Sequence, residues 1–128
     1  MHTWRILLAD GLAEKGQEIL RQACEIDDCQ GVTAAELAAM IDPYEAIIVG
    51  ERSELSAQIL EAGKNLRVIG RLGMQVDNID LAAAARLGIV VVNTPIAATT
   101  AVAEYTLGAI LSLARMIPRA DATIKTGL

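Results

Sequence analysis

Between Val68 and Glu104 the chain runs VIGRLGMQVDNIDLAAAARLGIVVVNTPIAATTAVAE, and this stretch narrows the available folds more than any other. It holds two short apolar, β-branched runs, Val68-Ile69 and Ile89 to Val92, each ending at a polar or glycine-bearing loop. An alanine-rich segment of helical character separates them. Short β-branched runs bounded by turn residues read as buried strands, and a helix joining two of them makes a β-loop-α-β unit. The chemistry of such a unit belongs in the loops at its strand ends.

The chain before this stretch repeats the alternation. Arg5 to Ala9 is an apolar run closed by Asp10-Gly11, a first strand and its turn. Leu12 to Ala23 places Leu12, Ile19, Leu20 and Ala23 on one helical face, with Glu14, Lys15, Glu18 and Arg21 opposite. Cys24 to Asp28 is short and mostly polar, which suits a strand at a sheet edge. Thr33-Ala34-Ala35-Glu36 has the spacing of a capping box and opens a helix carrying Leu37, Met40 and Ile41, stopped by Asp42-Pro43. Ala46 to Val49 is the third strand. Ser56 is placed to cap the helix of Ile59 and Leu60, which Gly63 ends. Val68 to Gly70 is the fourth strand, Asp80 caps Leu81 to Leu87 with Gly88 as the stop, and Ile89 to Val92 is the fifth. Strands and helices at this spacing imply parallel pairing through right-handed crossovers, hence a doubly wound five-stranded α/β sheet. Aromatic residues make up only 2% against 53% hydrophobic, so the core must be built from Ala, Val, Ile and Leu, which favours tight α/β layers. In such a sheet ligands bind beyond the carboxyl ends of the strands, here at the loops after Val49, Gly70 and Asn93.

Several functions are disfavoured by composition. A net charge of −5 with no basic block gives a nucleic-acid backbone nothing to bind. Cys24 and Cys29 stand without a histidine cluster, so neither a zinc site nor a disulfide framework can be read, and reduced thiols of a cytoplasmic protein are expected. Ile6 to Ala9 is too short for the apolar core of a signal peptide, and no window approaches a membrane span. Asp77, Asn78 and Asp80 are explained by turn and capping roles without a metal.

The residues Gly70-Arg71-Leu72-Gly73, Val76 to Asp80, Gly88 to Asn93, Pro95 and Ala103-Glu104-Tyr105 together make a pattern that resembles the substrate-binding domain of the D-2-hydroxyacid dehydrogenases, in particular the D-3-phosphoglycerate dehydrogenase branch. The resemblance implies a flavodoxin-like domain over residues 1–100 and an interdomain helix over 101–128 that leads, in the family, into an NAD-binding domain. It also implies that the loop Gly73-Met74-Gln75 turns its amides toward the carboxylate of a small 2-hydroxy or 2-keto acid, although the residues alone read as an ordinary strand-to-helix loop. Arg52 is the candidate to replace an arginine that phosphoglycerate dehydrogenases carry where Gly50 stands; its residue-level alternative is a solvated side chain paired loosely with Glu51 or Glu54. Gly50, Gln75, Ala98 and Ala101 are departures at positions that line the family's cleft, which puts substrate identity in question. Thr99 or Thr100 reads as the N-cap of the following helix.

No two glycines are separated by a single residue, so the G-x-G-x-x-G loop that seats a dinucleotide pyrophosphate is absent from the 128 residues. The family's catalytic arginine, glutamate and histidine would lie downstream, and His2, the one imidazole, is a poor acid or base at a chain end. Two readings follow. One is the substrate-binding part of an NAD-dependent dehydrogenase, truncated and not competent alone. The other is a stand-alone flavodoxin-like module that binds a small anion or a protein without redox chemistry. The helix from Ala101 to Ile117 is apolar nearly all round, which predicts burial from two sides and a homodimer formed through it.

Overall fold

The computed structural model describes residues 3–127. Its elements run β1 (Trp4–Leu8), α1 (Glu14–Arg21), β2 (Cys24–Asp28), α2 (Ala34–Met40), β3 (Ala46–Val49), α3 (Ala57–Ala62), β4 (Val68–Arg71), α4 (Leu81–Leu87), β5 (Val90–Asn93), α5 (Thr99–Ala114) and α6 (Ile117–Thr126). The five strands pair in the order β2-β1-β3-β4-β5, all parallel, the doubly wound arrangement expected. The polar strand β2 lies at an edge, where half its backbone needs no partner. β1 and β5 are shifted by one residue from the expected spans, and β4 gains Arg71, because the ladder continues until Val49, Arg71 and Asn93 stand in one row.

Alternation along the strands divides the apolar residues between two layers. Leu7, Ile47, Val49 and Ile69 point to one face and pack under α2, α3 and α4 through Leu37, Ile41, Ile59, Leu60, Ala83 and Ala84. Ile6, Leu8 and Ala46 point to the other, where Leu12 and Leu20 contact them. Leu7, Leu8, Ile47 and Ile69 are fully buried, each contributing about 1.5–3 kcal/mol of transfer free energy.

Capping follows the local sequence in part. The Thr33 side chain accepts from Glu36 N while Glu36 Oε2 accepts from Thr33 N, a complete capping box. Asp80 Oδ1 accepts from Ala83 N at 2.9 Å, and Gly88 closes α4 in the left-handed region at φ 72°. Ser56 stands at the N-cap position of α3, but its side chain makes no capping bond. The inward face expected of Leu12 to Ala23 is wrong at Ile19 and Ala23, both of which are exposed, and it leaves Gln17 unplaced. Ile19 is 60% exposed, whereas Gln17 is buried, donating to Leu12 O and Asp28 Oδ2 and accepting from Arg21.

The chain divides into two compact units, Met1–Pro95 and Ile96–Leu128. In the second, the expected single helix from Ala101 to Ile117 begins two residues earlier, at Thr99, and breaks after Ala114. Pro118 causes the break, since its ring would clash with the carbonyl of Ala114 in a continuous helix. The chain passes through Met116 at φ 51° and resumes as α6 at an angle of 57° to α5. Ala98 occupies the N-cap, so Thr99 and Thr100 are the first helical residues rather than caps. No residue of either helix among those described is buried. Among the described residues no single helix is long and apolar enough to cross a membrane.

Candidate functional site

The strand order reverses between β1 and β3, the point where ligands bind in many sheets of this kind. Here one carboxylate joins the two loops. Asp10 Oδ2 accepts from Gly50 N at 2.7 Å and Ser53 N at 3.1 Å, and Oδ1 accepts from Ser53 Oγ at 2.8 Å. Burial pushes this carboxyl up, but the Ser53 amide and hydroxyl, the Gly50 amide and the Arg52 guanidinium together hold it below the ordinary carboxylate range. Gly50 lies so close that a Cβ there would come within 3.2 Å of Asp10 Cβ.

Arg52 belongs to this cluster. Its Nη2 donates to the Asp10 carbonyl at 3.1 Å, and its Nε stands 3.9 Å from Asp10 Oδ1. It borders a hollow shared with Val32, Ala34, Leu37 and Glu54 on the α2 side of the sheet edge. Its ionic partner is thus Asp10 rather than Glu51 or Glu54, because the tethered loop turns the side chain back over β1.

A second cluster forms the loop after β4. Asn78 Nδ2 donates to Gly50 O at 2.9 Å and Ser53 O at 2.7 Å, and its Oδ1 accepts from Arg71 Nε at 3.2 Å. Asn78 therefore ties the β3 loop to the end of β4. Arg71 is only 4% exposed, and its guanidinium also donates to the carbonyl of Leu72. A buried cation satisfied by neutral oxygens supports the loop rather than presenting charge to solvent.

The loop after β5 braces the same segment. Gly73 N donates to Thr94 Oγ1 at 2.8 Å, and Thr94 N donates back to Gly73 O at 3.0 Å. Asn93 Nδ2 donates to Met74 O at 2.6 Å. The amide of Gly73 is thus engaged, while among the described residues the amides of Met74 and Gln75 donate to no protein acceptor. Gly73 has φ 123°, a conformation that L side chains rarely adopt, and this turns the chain sharply after β4. Met74 and Gln75 are both exposed and, with Val76, Asp77, Ile79, Asp80 and Leu81, line an open hollow of about 620 Å³.

Of the residues singled out by sequence, Gly73, Met74 and Gln75 lie together on this loop, and Arg52 lies apart on the Asp10 cluster. Ala98 and Ala101 fall at the start of α5, in the second unit. His2 lies outside the described residues. Asp10, Arg71, Asn93 and Thr94 were not assigned a site role by sequence reasoning. Their signal, a polar residue at the carboxyl end of a parallel strand, was present at each.

Residues 6–126 match the family model for the D-isomer specific 2-hydroxyacid dehydrogenase, catalytic domain. The chain is similar to the D-3-phosphoglycerate dehydrogenase of Synechocystis sp., with 40% identity over 94% of this chain and 22% of that protein. It is 39% identical to the enzyme of the same name from Archaeoglobus fulgidus, over 96% of this chain and 24% of that one. Among solved structures it resembles a 2-hydroxyacid dehydrogenase from Ketogulonicigenium vulgare Y25, with a TM-score of 0.84, 31% identity and coverage of 99% of this chain and 41% of that chain. The NAD+-bound 3-phosphoglycerate dehydrogenase of Entamoeba histolytica gives a TM-score of 0.74 at 26% identity, covering 87% and 39%. The chain spans less than a quarter of the length of these curated relatives, 22% and 24%.

Proposed function

The chain belongs to the D-isomer specific 2-hydroxyacid dehydrogenases, and from that premise we propose that it is the substrate-binding domain of an NAD-dependent, phosphoglycerate-dehydrogenase-like enzyme. In this reading residues 1–100 hold a small 2-hydroxy or 2-keto acid and residues 101–128 form the interdomain helix. The observation that carries it is the pair of unengaged amides at Met74 and Gln75, at the carboxyl end of β4 in a sheet of order 2-1-3-4-5. Two adjacent main-chain donors match the two oxygens of a carboxylate and tolerate side-chain change, so Gln75 keeps the donor. Gly73 supports the turn, and Thr94 and Asn93 hold it from the next strand.

NAD, when bound to a dehydrogenase, accepts or delivers the hydride at the carbon bearing the hydroxyl. The residues described here do not fit that cofactor. They include no glycine-rich loop for its pyrophosphate, so no step through the nicotinamide is assigned to them. What these residues supply is orientation, and hydride transfer needs the acid and the cofactor held together between two domains.

The reading extends to assembly and setting. α5 exposes Leu107, Ile110 and Leu111 on one side and Val102 and Leu113 on another, and an apolar helix of this kind is built to be covered on more than one side. A second copy of the chain is the partner in this reading. Cys24 and Cys29 are both free thiols, which supports a reducing, cytoplasmic setting.

The test is a nitrogen-15 chemical-shift titration of the purified chain with 2-ketobutyrate. Saturable shifts at Met74 and Gln75 are expected, and shifts confined to residues remote from the β4 loop would refute the reading. NADH oxidation by the same sample with 2-ketobutyrate is expected to stay at background, and measurable turnover would refute the division of labour.

A further inference from the structure

We infer that the outer edge of β5 takes β5 of a second copy, antiparallel about a two-fold axis, so that two five-stranded sheets join into one. The inference rests on the reading that the chain's partner is another copy of itself, and adds a surface that α5 does not supply.

β5 pairs with β4 alone and ends the sheet. Val90 N donates to Arg67 O, and the parallel ladder directs the main-chain groups of Val90 and Val92 at β4. Those of Val91 and Asn93 therefore point outward, along an edge on which no other strand lies among the described residues. The sheet face beside that edge is also bare. Val90 and Val92 share it and are 56% and 51% exposed, whereas Leu12 and Leu20 cover Ile6, Leu8 and Ala46 farther along the same face. Val91 faces the other way and packs with the layer that holds α4.

The two edges of the sheet treat a second copy differently. β2 carries Glu25, Asp27 and Asp28, and a copy of β2 laid beside it would set carboxylates against carboxylates. β5 reads Val-Val-Val-Asn, within a run from Leu87 to Ala103 that holds no charged residue, and Pro95 lies beyond the strand. Charge and proline are what ordinarily keep edge strands from pairing, and β5 has neither. With Val91 opposite the partner's Val91, each Val90 stands opposite the partner's Val92 on the bare face, a β-branched pair of the kind that stabilises antiparallel sheets. One neutral edge and one acidic edge per sheet close the assembly at two copies. Four residues of edge fall short of the roughly 1,000 Å² that a lasting interface buries, so the pairing adds to the α5 contact rather than replacing it.

The test is amide hydrogen exchange, read residue by residue at micromolar and at nanomolar chain, beside the mass from light scattering. The Val91 and Asn93 amides are expected to exchange slowly in the dimer and quickly on dilution, while those of Val90 and Val92, bonded to β4, stay protected at both concentrations. Val92→Lys, at an exposed position that spares the fold, is expected to raise the dimer dissociation constant about tenfold, the worth of one or two hydrogen bonds. Continued protection of Val90 in that variant shows that the sheet is intact. A dimer in which Val91 and Asn93 exchange at the same rate at both concentrations, or one that Val92→Lys does not weaken, overturns the edge pairing and leaves the α5 contact standing. A mass that stays dimeric in Leu113→Glu with Val91 and Asn93 still protected upholds the edge and removes α5 as the contact. A monomeric mass at every concentration overturns the second copy, and the inference with it.

Discussion

The carboxylate of Asp10 receives hydrogen bonds from Gly50 and Ser53, and this single residue holds the loop after β3 against the end of β1. Its acidity is lowered in the fold despite partial burial, so the sign of its pH effect is set. The stabilisation is complete above the unfolded carboxyl value of about 3.9 and is lost as pH falls through the lower native value. Asp10→Asn is therefore expected to flatten the acid limb of a urea-midpoint-against-pH curve. An acid limb identical to wild type would show that Asp10 is not the titrating tether. Tyr44 supplies the alkaline counterpart. Burial, then its hydrogen bond to Asp27 at 2.9 Å and that residue's charge, push the phenol up to about 12. A raised value favours the protonated form, so this contribution is intact below the unfolded value of about 10 and fades as pH climbs through 12. Tyr44→Phe removes the bond and is expected to cost about 0.5–1.5 kcal/mol at neutral pH by denaturant unfolding. The Arg5 guanidinium, 5.1 Å from the ring centre and bonded to Asp27 itself, remains in place.

Among the elements, two helix starts headed by a hydroxyl residue separate in structure as their third residues differ, Glu36 in one and Ile59 in the other. α2 opens with the reciprocal Thr33–Glu36 capping box, whereas Ser56 heads α3 without a capping bond. Thr33→Ala is expected to cost about 1 kcal/mol and Ser56→Ala close to nothing, both measured by urea unfolding. Equal losses would mean that α3 is capped in solution after all. Leu60, 1% exposed within the layer beneath α2 to α4, sets the scale for packing. Leu60→Ala is expected to cost about 2–5 kcal/mol, enough to consume much of the stability of a small domain. The second unit shows an element boundary decided by one ring. Pro118 stops α5 at Ala114 and starts α6 at Ile117, so the apolar stretch from Val102 to Met116 cannot continue as one rod.

At the scale of the whole molecule, the proposed dimer follows from surface rather than from any pairing contact. The exposed Leu107, Ile110 and Leu111 of α5 share one side of the helix, and the exposed Val102 and Leu113 share another. Light scattering at micromolar concentration is expected to give twice the chain mass of 13.6 kDa, falling to the monomer value in Leu113→Glu. A monomeric mass that neither concentration nor this substitution changes would leave α5 without a second copy as its partner.

Local chemistry by itself determined much of this protein. Strand positions, the parallel order, the Thr33 and Asp80 caps, the Gly88 stop and the membership of the family were all legible in the sequence. Each depends on residues a few positions apart, or on a motif whose spacing is local. The loop Gly73-Met74-Gln75, proposed as the substrate site, was singled out through the family pattern, but which of its amides remain available was not legible. That depended on Thr94, twenty-one residues on, whose hydroxyl takes the Gly73 amide. Gln17 became a core residue and Ile19 a surface one because Asp28 and the Leu12 carbonyl met the amide, partners that helical periodicity does not include. Arg52 was singled out on its loop, but its contact with Asp10 was not legible, since only the pairing of β1 with β3 brings Asp10 beside it. The Asn78 bridge from the β3 loop to Arg71 of β4 was equally invisible, since its partners lie seven to twenty-eight residues away. Sequence sets what each residue offers over a few bonds, and tertiary structure decides which distant groups accept the offer, because hydrogen bonds and ion pairs form only between groups that the chain's crossovers bring within about 3 Å.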